Sequence, residues 1–248
     1  MIYQGFARVY DQLMKDTPYD TWFENLQKII KSYDIKGKEV LELACGTGAM
    51  TRKLYKAGYK VLGTDLSQEM LEIALETSYD QNLKIQFIQQ DMTSLDLFHK
   101  YDMIVSFCDG FNYLIEDGQL DKALDSCRAY IKDQGYLIFD ISSDYKLEHV
   151  LGQNVFTETS DEACYIWENY YDEKSKILEF DLTLFEKQGN MYQRHDEVHK
   201  QRAYTIDEIQ TSMAKNGFEC LEVIDTNTGE KVTPESERWL FIGRKINE

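Results

Sequence analysis

Proline is almost missing from this chain, with Pro18 and Pro234 the only two in 248 residues. No low-complexity tract and no internal repeat interrupts the sequence, so nothing in it marks a linker between separately tethered domains. Cysteine is sparse and scattered. Cys45, Cys108, Cys127, Cys164 and Cys220 are odd in number and include no Cys-x-x-Cys pair, which argues against a zinc cluster or a disulfide framework and fits a reducing cytoplasm. Long apolar runs are missing too: the best, residues 103–108, has the length of a strand, against the roughly 18 residues of a membrane span. The opening Met1-Ile2-Tyr3-Gln4-Gly5 has neither the basic nor the apolar segment of a secretory signal, so the expectation is a cytoplasmic protein with no membrane partner. Positive charge is in short supply. Lysine and arginine number 27 against 44 acidic residues, a net charge of -17, and the densest basic stretch, residues 194–202, is interleaved with Asp196 and Glu197. A phosphate backbone repels such a chain, which disfavours nucleic acid as a partner.

What the chain does have is 43% hydrophobic residues and 13% aromatics, ample for a core at this length. Trp22, Phe23, Leu26, Ile30 and Tyr33 recur at helical spacing and predict an amphipathic helix over 19–33. Strand-like runs then alternate with helical stretches: strands at 40–44, 60–64, 84–88, 102–107 and 136–141, helices at 50–57, 68–77 and 119–131. This alternation predicts an α/β fold, a doubly wound, mostly parallel sheet of about seven strands. Between 144 and 202 the pattern changes to period two. Leu178, Phe180, Leu182 and Leu184 share one strand face, with Glu179, Asp181 and Thr183 on the other. Residues 144–202 are therefore read as an antiparallel β insertion serving as a substrate cap, and residues 1–143 with 203–248 as the main domain. Thr205 with Glu208 matches a capping box that reopens the helical text, and two last strands follow at 219–224 and 238–244.

The chemistry gathers in Glu42-Leu43-Ala44-Cys45-Gly46-Thr47-Gly48, a Gly-x-Gly turn between a first strand and a helix. Glycine there allows close backbone approach, and the helix start offers free N–H groups. Asp65 ends the next strand, where a carboxylate can accept both hydroxyls of a ribose. A dinucleotide fingerprint would place a third glycine at position 51, which holds Thr51. A triphosphate loop would follow Gly48 with lysine, and Ala49 stands there. The ligand implied has a ribose and no pyrophosphate.

These residues resemble the first motif of the class I S-adenosylmethionine-dependent methyltransferases. In the terms of that resemblance, Asp65 with Leu66 is the ribose-binding corner, and Asp91 with Met92 the adenine-binding segment after the third strand. Residues 101–113, with Cys108, are similar to the fourth strand and active-site loop. The opening Phe6-Ala7-Arg8-Val9-Tyr10-Asp11 is similar to a segment that folds over the cofactor, which brings in Tyr10. The resemblance implies S-adenosylmethionine as cofactor, held by Tyr10, Glu42, Ala44, Gly46, Gly48, Asp65, Leu66, Asp91, Met92 and Cys108. Glu42 would meet the ammonium of the methionine moiety. Ala44 stands where many members have glycine.

The acceptor is expected to be a small molecule. No Asn/Asp-Pro-Pro-Tyr follows the fourth strand and no Pro-Cys nucleophile replaces it, which removes the usual signatures of nucleobase methylation. Cys108, Asp109, Asn112 and Tyr113 follow that strand at the end where such folds present reacting groups. Tyr113, His195, His199 and Arg202 are the candidates for the acceptor pocket. His195, Glu197 and His199 alternate along one strand face but lack a fourth ligand, so no metal is expected. The other readings are an RNA or protein methyltransferase and, from different classes, a NAD-dependent oxidoreductase or a non-catalytic S-adenosylmethionine-binding module.

Overall fold

The computed structural model describes residues 14–159 and 163–246. In chain order these form α1 (Tyr19–Ser32), β1 (Glu39–Glu42), α2 (Ala49–Lys56), β2 (Lys60–Asp65), α3 (Gln68–Asp80), β3 (Gln86–Gln89), β4 (Tyr101–Ser106), α4 (Gln119–Tyr130) and β5 (Ile131–Ser142). Four strands come next, β6 (Val155–Thr159), β7 (Ala163–Asp172), β8 (Ile177–Gln188) and β9 (Met191–Arg202), then α5 (Ile206–Lys215), β10 (Phe218–Asp225) and β11 (Arg238–Lys245). Single helical turns lie at Gly110–Tyr113 and Lys146–Leu151.

The main sheet has seven strands in the order β3-β2-β1-β4-β5-β11-β10. The first five pair in parallel, and β11 runs antiparallel to both neighbours. Alternate residues of each strand enter opposite cores, as a sheet covered on both faces requires. Leu41, Ile104, Phe139 and Phe241 pack toward α4 and α5. Val40, Met103, Ile138 and Leu240 pack toward α1 and α2. Each such side chain contributes about 1.5–3 kcal/mol on burial. The chain leaves β1 toward β2 on one side and returns at β4 on the other. The crevice at the carboxyl ends of β1 and β4 is thus the switch point where doubly wound sheets bind ligands.

The helix predicted over 19–33 is α1, and Thr205 and Glu208 form the predicted capping box, each side chain bonded to the other's backbone N–H. The largest boundary difference is at β5. β5 starts at Ile131, five residues ahead of the apolar run, because its first stretch is held by charge and not by burial: Lys132 donates to Glu39 at 2.7 Å and to Asp102 at 2.8 Å.

The other four strands form a separate antiparallel sheet in the order β6-β7-β8-β9. β8 and β9 are joined by Gly189 and Asn190 alone, with Gln188 paired to Met191 and Gly189 at φ 65°. A two-residue hairpin needs such left-handed backbone, which glycine adopts without strain. The period-two reading of β8 holds: Leu178, Leu182 and Leu184 are buried. Leu182 and Leu184 pack on Met70 of α3, and Leu178 on Leu147 and Leu151. That lays this sheet across the carboxyl ends of the main strands. Its approach, residues 144–154, is a helical turn and loop rather than strand, since Ser143 caps it by accepting from Lys146 N.

Candidate active site

After β1 the main chain makes two left-handed steps, Ala44 at φ 49° and Gly46 at φ 52°, before Gly48 at φ 80° opens α2. Gly48 has a second constraint, because a Cβ there would come within 3.0 Å of the Phe87 ring. Asp65, at the end of β2, accepts from Gly46 N at 2.8 Å and from Ser67 N at 2.9 Å. Its carboxylate therefore clamps the turn after β1 to the turn after β2. Helix α3 is capped by Ser67, whose hydroxyl accepts from Met70 N. Burial pushes the Asp65 carboxyl up, against the pull of those N–H groups. Glu42, 2% exposed, accepts from Thr51 Oγ1, and burial lifts its carboxyl to about 8. Two acids strained toward their neutral forms at one site suit a ligand that brings positive charge and hydroxyl donors. Beyond β3, Asp91 accepts from both N and Oγ1 of Thr93 at 2.8 Å, which shapes the loop carrying Met92.

One cavity of about 1120 Å³ opens between these turns and the second sheet. Its wall includes Glu42, Ala44, Gly46, Asp65, Leu66, Asp91, Met92 and Cys108. Gly48 stands behind that wall, and Tyr10 lies outside the described residues. The opposite wall carries Tyr165, Trp167, Phe180, Leu182, His199 and Gln201 from β7, β8 and β9. At this volume the cavity exceeds the roughly 300–1,000 Å³ of ordinary small-molecule sites, leaving room for two ligands side by side.

Where the walls meet, polar groups fasten β9 to the segment after β4. Cys108 and Asp109 are both left-handed, at φ 69° and 57°. Asp109 accepts from Arg238 at 2.6 Å and from Gln201 at 2.6 Å, and its N–H donates to Asp140 at 2.9 Å. Arg238 also donates to Asp140 at 3.0 Å and lies over the Trp22 ring. Burial alone would raise the Asp109 carboxyl, but Arg238, Lys146 and Gln201 outweigh it and hold the group below its ordinary value. Lys146, on the cavity wall, is pushed down by burial and by Arg238. Asn112 is fully buried and saturates its amide: Nδ2 donates to the carbonyls of Ser142 and Arg202, and Oδ1 accepts from Ser142 N.

Of the four acceptor-side candidates, the structure brings two together. Tyr113 Oη and His199 Nδ1 are 3.4 Å apart, and both residues line the cavity. Arg202 is a correction. Its odd offset from His199 puts it on the opposite face of β9, where it pairs with Asp117 and Glu208 and stacks on Tyr204. His195 is the other. It shares the face of His199 but lies four residues toward the hairpin, about 13 Å along the strand, and it faces Glu186 at 3.6 Å, away from the cavity wall. The sequence reading missed Gln201, Arg238, Asp140 and Lys146. Asp140 left a trace, a carboxylate inside the apolar run of β5, where an unpaired charge is costly. Among the described residues no group of three His, Cys, Asp or Glu could hold a metal ion.

Residues 40–135 match the model of a methyltransferase domain. Over its full length the chain is similar to a protein of Geobacillus sp. (strain WCH70), provisionally named a methyltransferase. The two are 38% identical over 247 residues, which are 99% of this chain and 100% of the relative. It superposes on the crystal structure of a S-adenosylmethionine-dependent methyltransferase from Clostridium acetobutylicum ATCC 824 with a TM-score of 0.90 and 32% identity, covering 99% of each chain. The same fold, at 16% identity and a TM-score of 0.74, is found in CalS10 with bound S-adenosylmethionine, an amino pentose methyltransferase from Micromonospora echinaspora. There 99% of this chain and 98% of CalS10 are covered. The chain belongs to the class I S-adenosylmethionine-dependent methyltransferases.

Proposed function

We propose that this enzyme methylates a small molecule by in-line displacement, in the part of the cavity roofed by β7, β8 and β9. The family membership sets aside the oxidoreductase and non-catalytic readings. The observation that carries the acceptor class is the cavity of about 1120 Å³ under the second sheet, acidic and turn-lined on one side and aromatic on the other, with room for a small molecule beside the cofactor. The net charge of -17 supports the same reading, as does the fold shared with an amino pentose methyltransferase.

In this reading S-adenosylmethionine supplies an activated methyl group. Asp65 holds the ribose hydroxyls, Asp91 and Met92 frame the adenine, and Glu42 meets the ammonium. Ala44 and Gly46 let the backbone come close. The residues fit that ligand, because a buried Glu42 raised to about 8 gains a cationic partner. Trp167, Phe180 and Leu182 exclude water and align the acceptor, an effect that can lower a barrier by up to about 7–11 kcal/mol. The four-stranded sheet acts as the substrate cap.

The test is transfer of labelled methyl from the donor into fractionated bacterial extract, with and without nuclease. Label in the low-molecular-weight pool is expected. Label confined to RNA and lost with ribonuclease, or confined to protein, would overturn the small-molecule reading.

A further inference from the structure

His199 is 1% exposed, yet it forms part of the cavity wall and makes a polar contact from each ring nitrogen. Nε2 lies 3.1 Å from Glu197 Oε2, and Nδ1 lies 3.4 Å from the Tyr113 hydroxyl. Glu197 is itself nearly buried, at 9% side-chain exposure. The ring stacks on Phe180 at 4.8 Å and 12° and meets Tyr113 edge-on at 6.0 Å, so its plane is fixed. A carboxylate can only accept, so in the neutral ring this contact favours the hydrogen on Nε2, the tautomer in which Nδ1 can accept from the phenol. The order is carboxylate, imidazole, hydroxyl, with Tyr113 and His199 both on the cavity wall. That is the arrangement by which a carboxylate-oriented histidine draws a proton from a hydroxyl in nucleophilic enzymes, here aimed at a bound molecule instead of at a covalent step.

We propose that Tyr113, His199 and Glu197 form a proton relay that deprotonates a hydroxyl group of the acceptor, making this an O-methyltransferase of a hydroxyl carried on a flat apolar body. This rests on the small-molecule reading above. As the acceptor oxygen bonds to the methyl carbon, the carbon–sulfur bond breaks with its electron pair going to sulfur. The acceptor's proton moves to the Tyr113 oxygen, and the Tyr113 proton moves to His199 Nδ1. The resulting imidazolium faces the Glu197 carboxylate. When product leaves, the proton returns through Tyr113 to water. A hydroxyl requires such a device because its anion is scarce at neutral pH, whereas a neutral amine attacks with its own lone pair. The flat body follows from the wall: Trp167, Phe180 and Tyr165 line the same cavity on the β7–β8 side, with Phe180 stacked on His199 and Trp167 edge-on to Phe180. Tyr113 is the catalytic residue of the three. Glu197 is a positioning residue that sets the tautomer of His199.

Two measurements on the full-length protein decide it. The first needs no acceptor: nitrogen NMR of histidine-labelled enzyme with S-adenosylhomocysteine added, the His199 signal being assigned by its loss in His199→Gln. The expected spectrum has protonated Nε2 and unprotonated Nδ1, with that preference lost in Glu197→Gln. A protonated Nδ1 in the wild type would overturn the relay, since it could not accept from Tyr113. The second follows labelled methyl into the low-molecular-weight extract and into 4-methylcatechol as a defined probe. Tyr113→Phe, which removes one oxygen atom, is expected to lower kcat at least about a hundredfold. Acceptor KM and S-adenosylhomocysteine affinity should stay within threefold. A Tyr113→Phe enzyme with kcat within threefold of wild type, or a product methylated on nitrogen, would overturn the proposal. Should no small molecule take label, the small-molecule reading fails, while the tautomer still decides whether the relay exists.

Discussion

The two walls of the cavity are built by different means. On the parallel-sheet side the contact surface is mostly main chain bent through left-handed turns at Ala44, Gly46, Cys108 and Asp109. On the antiparallel side it is side chains hung at period two from straight strands, Trp167 on β7, Phe180 and Leu182 on β8, His199 and Gln201 on β9. A turn constrains which residues can form it, and a strand face accepts almost any side chain of suitable bulk. The first wall is thereby suited to a ligand that never changes, the second to one that varies between relatives. Fold and chemistry can be separated in this way because sites are carried on folds and are not dictated by them.

The heaviest expected effect falls on the seam between the walls. Asp109→Ala would leave Arg238 buried with one acid fewer, and removing one partner of a buried pair costs about 3–5 kcal/mol. Urea denaturation should show the loss as a lower midpoint, and an unchanged midpoint would mean the two walls stand independently. Asp65→Ala comes next. Loss of hydrogen bonds to a charged group costs roughly 1.5–3 kcal/mol, which is about ten- to a hundredfold in S-adenosylhomocysteine affinity by calorimetry. Acceptor binding should be spared, and equal damage to both ligands would erase the distinction between the walls.

Trp167→Ala is the converse. It should raise acceptor KM about three- to tenfold, as loss of an aromatic contact of roughly 0.5–1.5 kcal/mol implies, with cofactor affinity unchanged. The smallest effect concerns pH. Glu42 in the free protein is protonated below about 8, and a cationic ligand favours its ionised form. Cofactor affinity should therefore rise severalfold between pH 6.5 and 8, with proton release on binding, and level off above. Glu42→Gln should flatten that rise. The same shift makes the ligand-free chain lose stability as pH climbs from the ordinary glutamate value toward 8, because the unfolded chain gives up that proton first.

How much could be read in advance follows the same division. The turns at Gly46 and Gly48 and the acid at Asp65 announce themselves in sequence because backbone geometry restricts them. What sequence did not convey is that Asp65 also holds Gly46 N, since that bond joins the ends of two strands paired only in space. On the second wall, period two identifies the buried face of β8, and in β9 the same parity places Gln201, not Arg202, on the face of His199. A glutamine there carries no charge or motif that marks it in sequence. Arg238 meets Asp140 and Lys146 from a segment remote in the chain, and no spacing rule links it to them. His195 passed the parity rule and failed on distance, which depends on where the hairpin ends.

Asn112 has a consequence for how such an enzyme can change over time. Its amide is bonded only to main-chain groups, at Ser142 and at Arg202. The second sheet is thus tied to the main sheet partly through atoms that every residue possesses, beside the Gln201–Asp109 bond and the seat of Leu182 and Leu184 on Met70. Substitutions among the other cavity-facing side chains of β7 and β8 leave those ties in place, so that wall can change its shape without shifting its position.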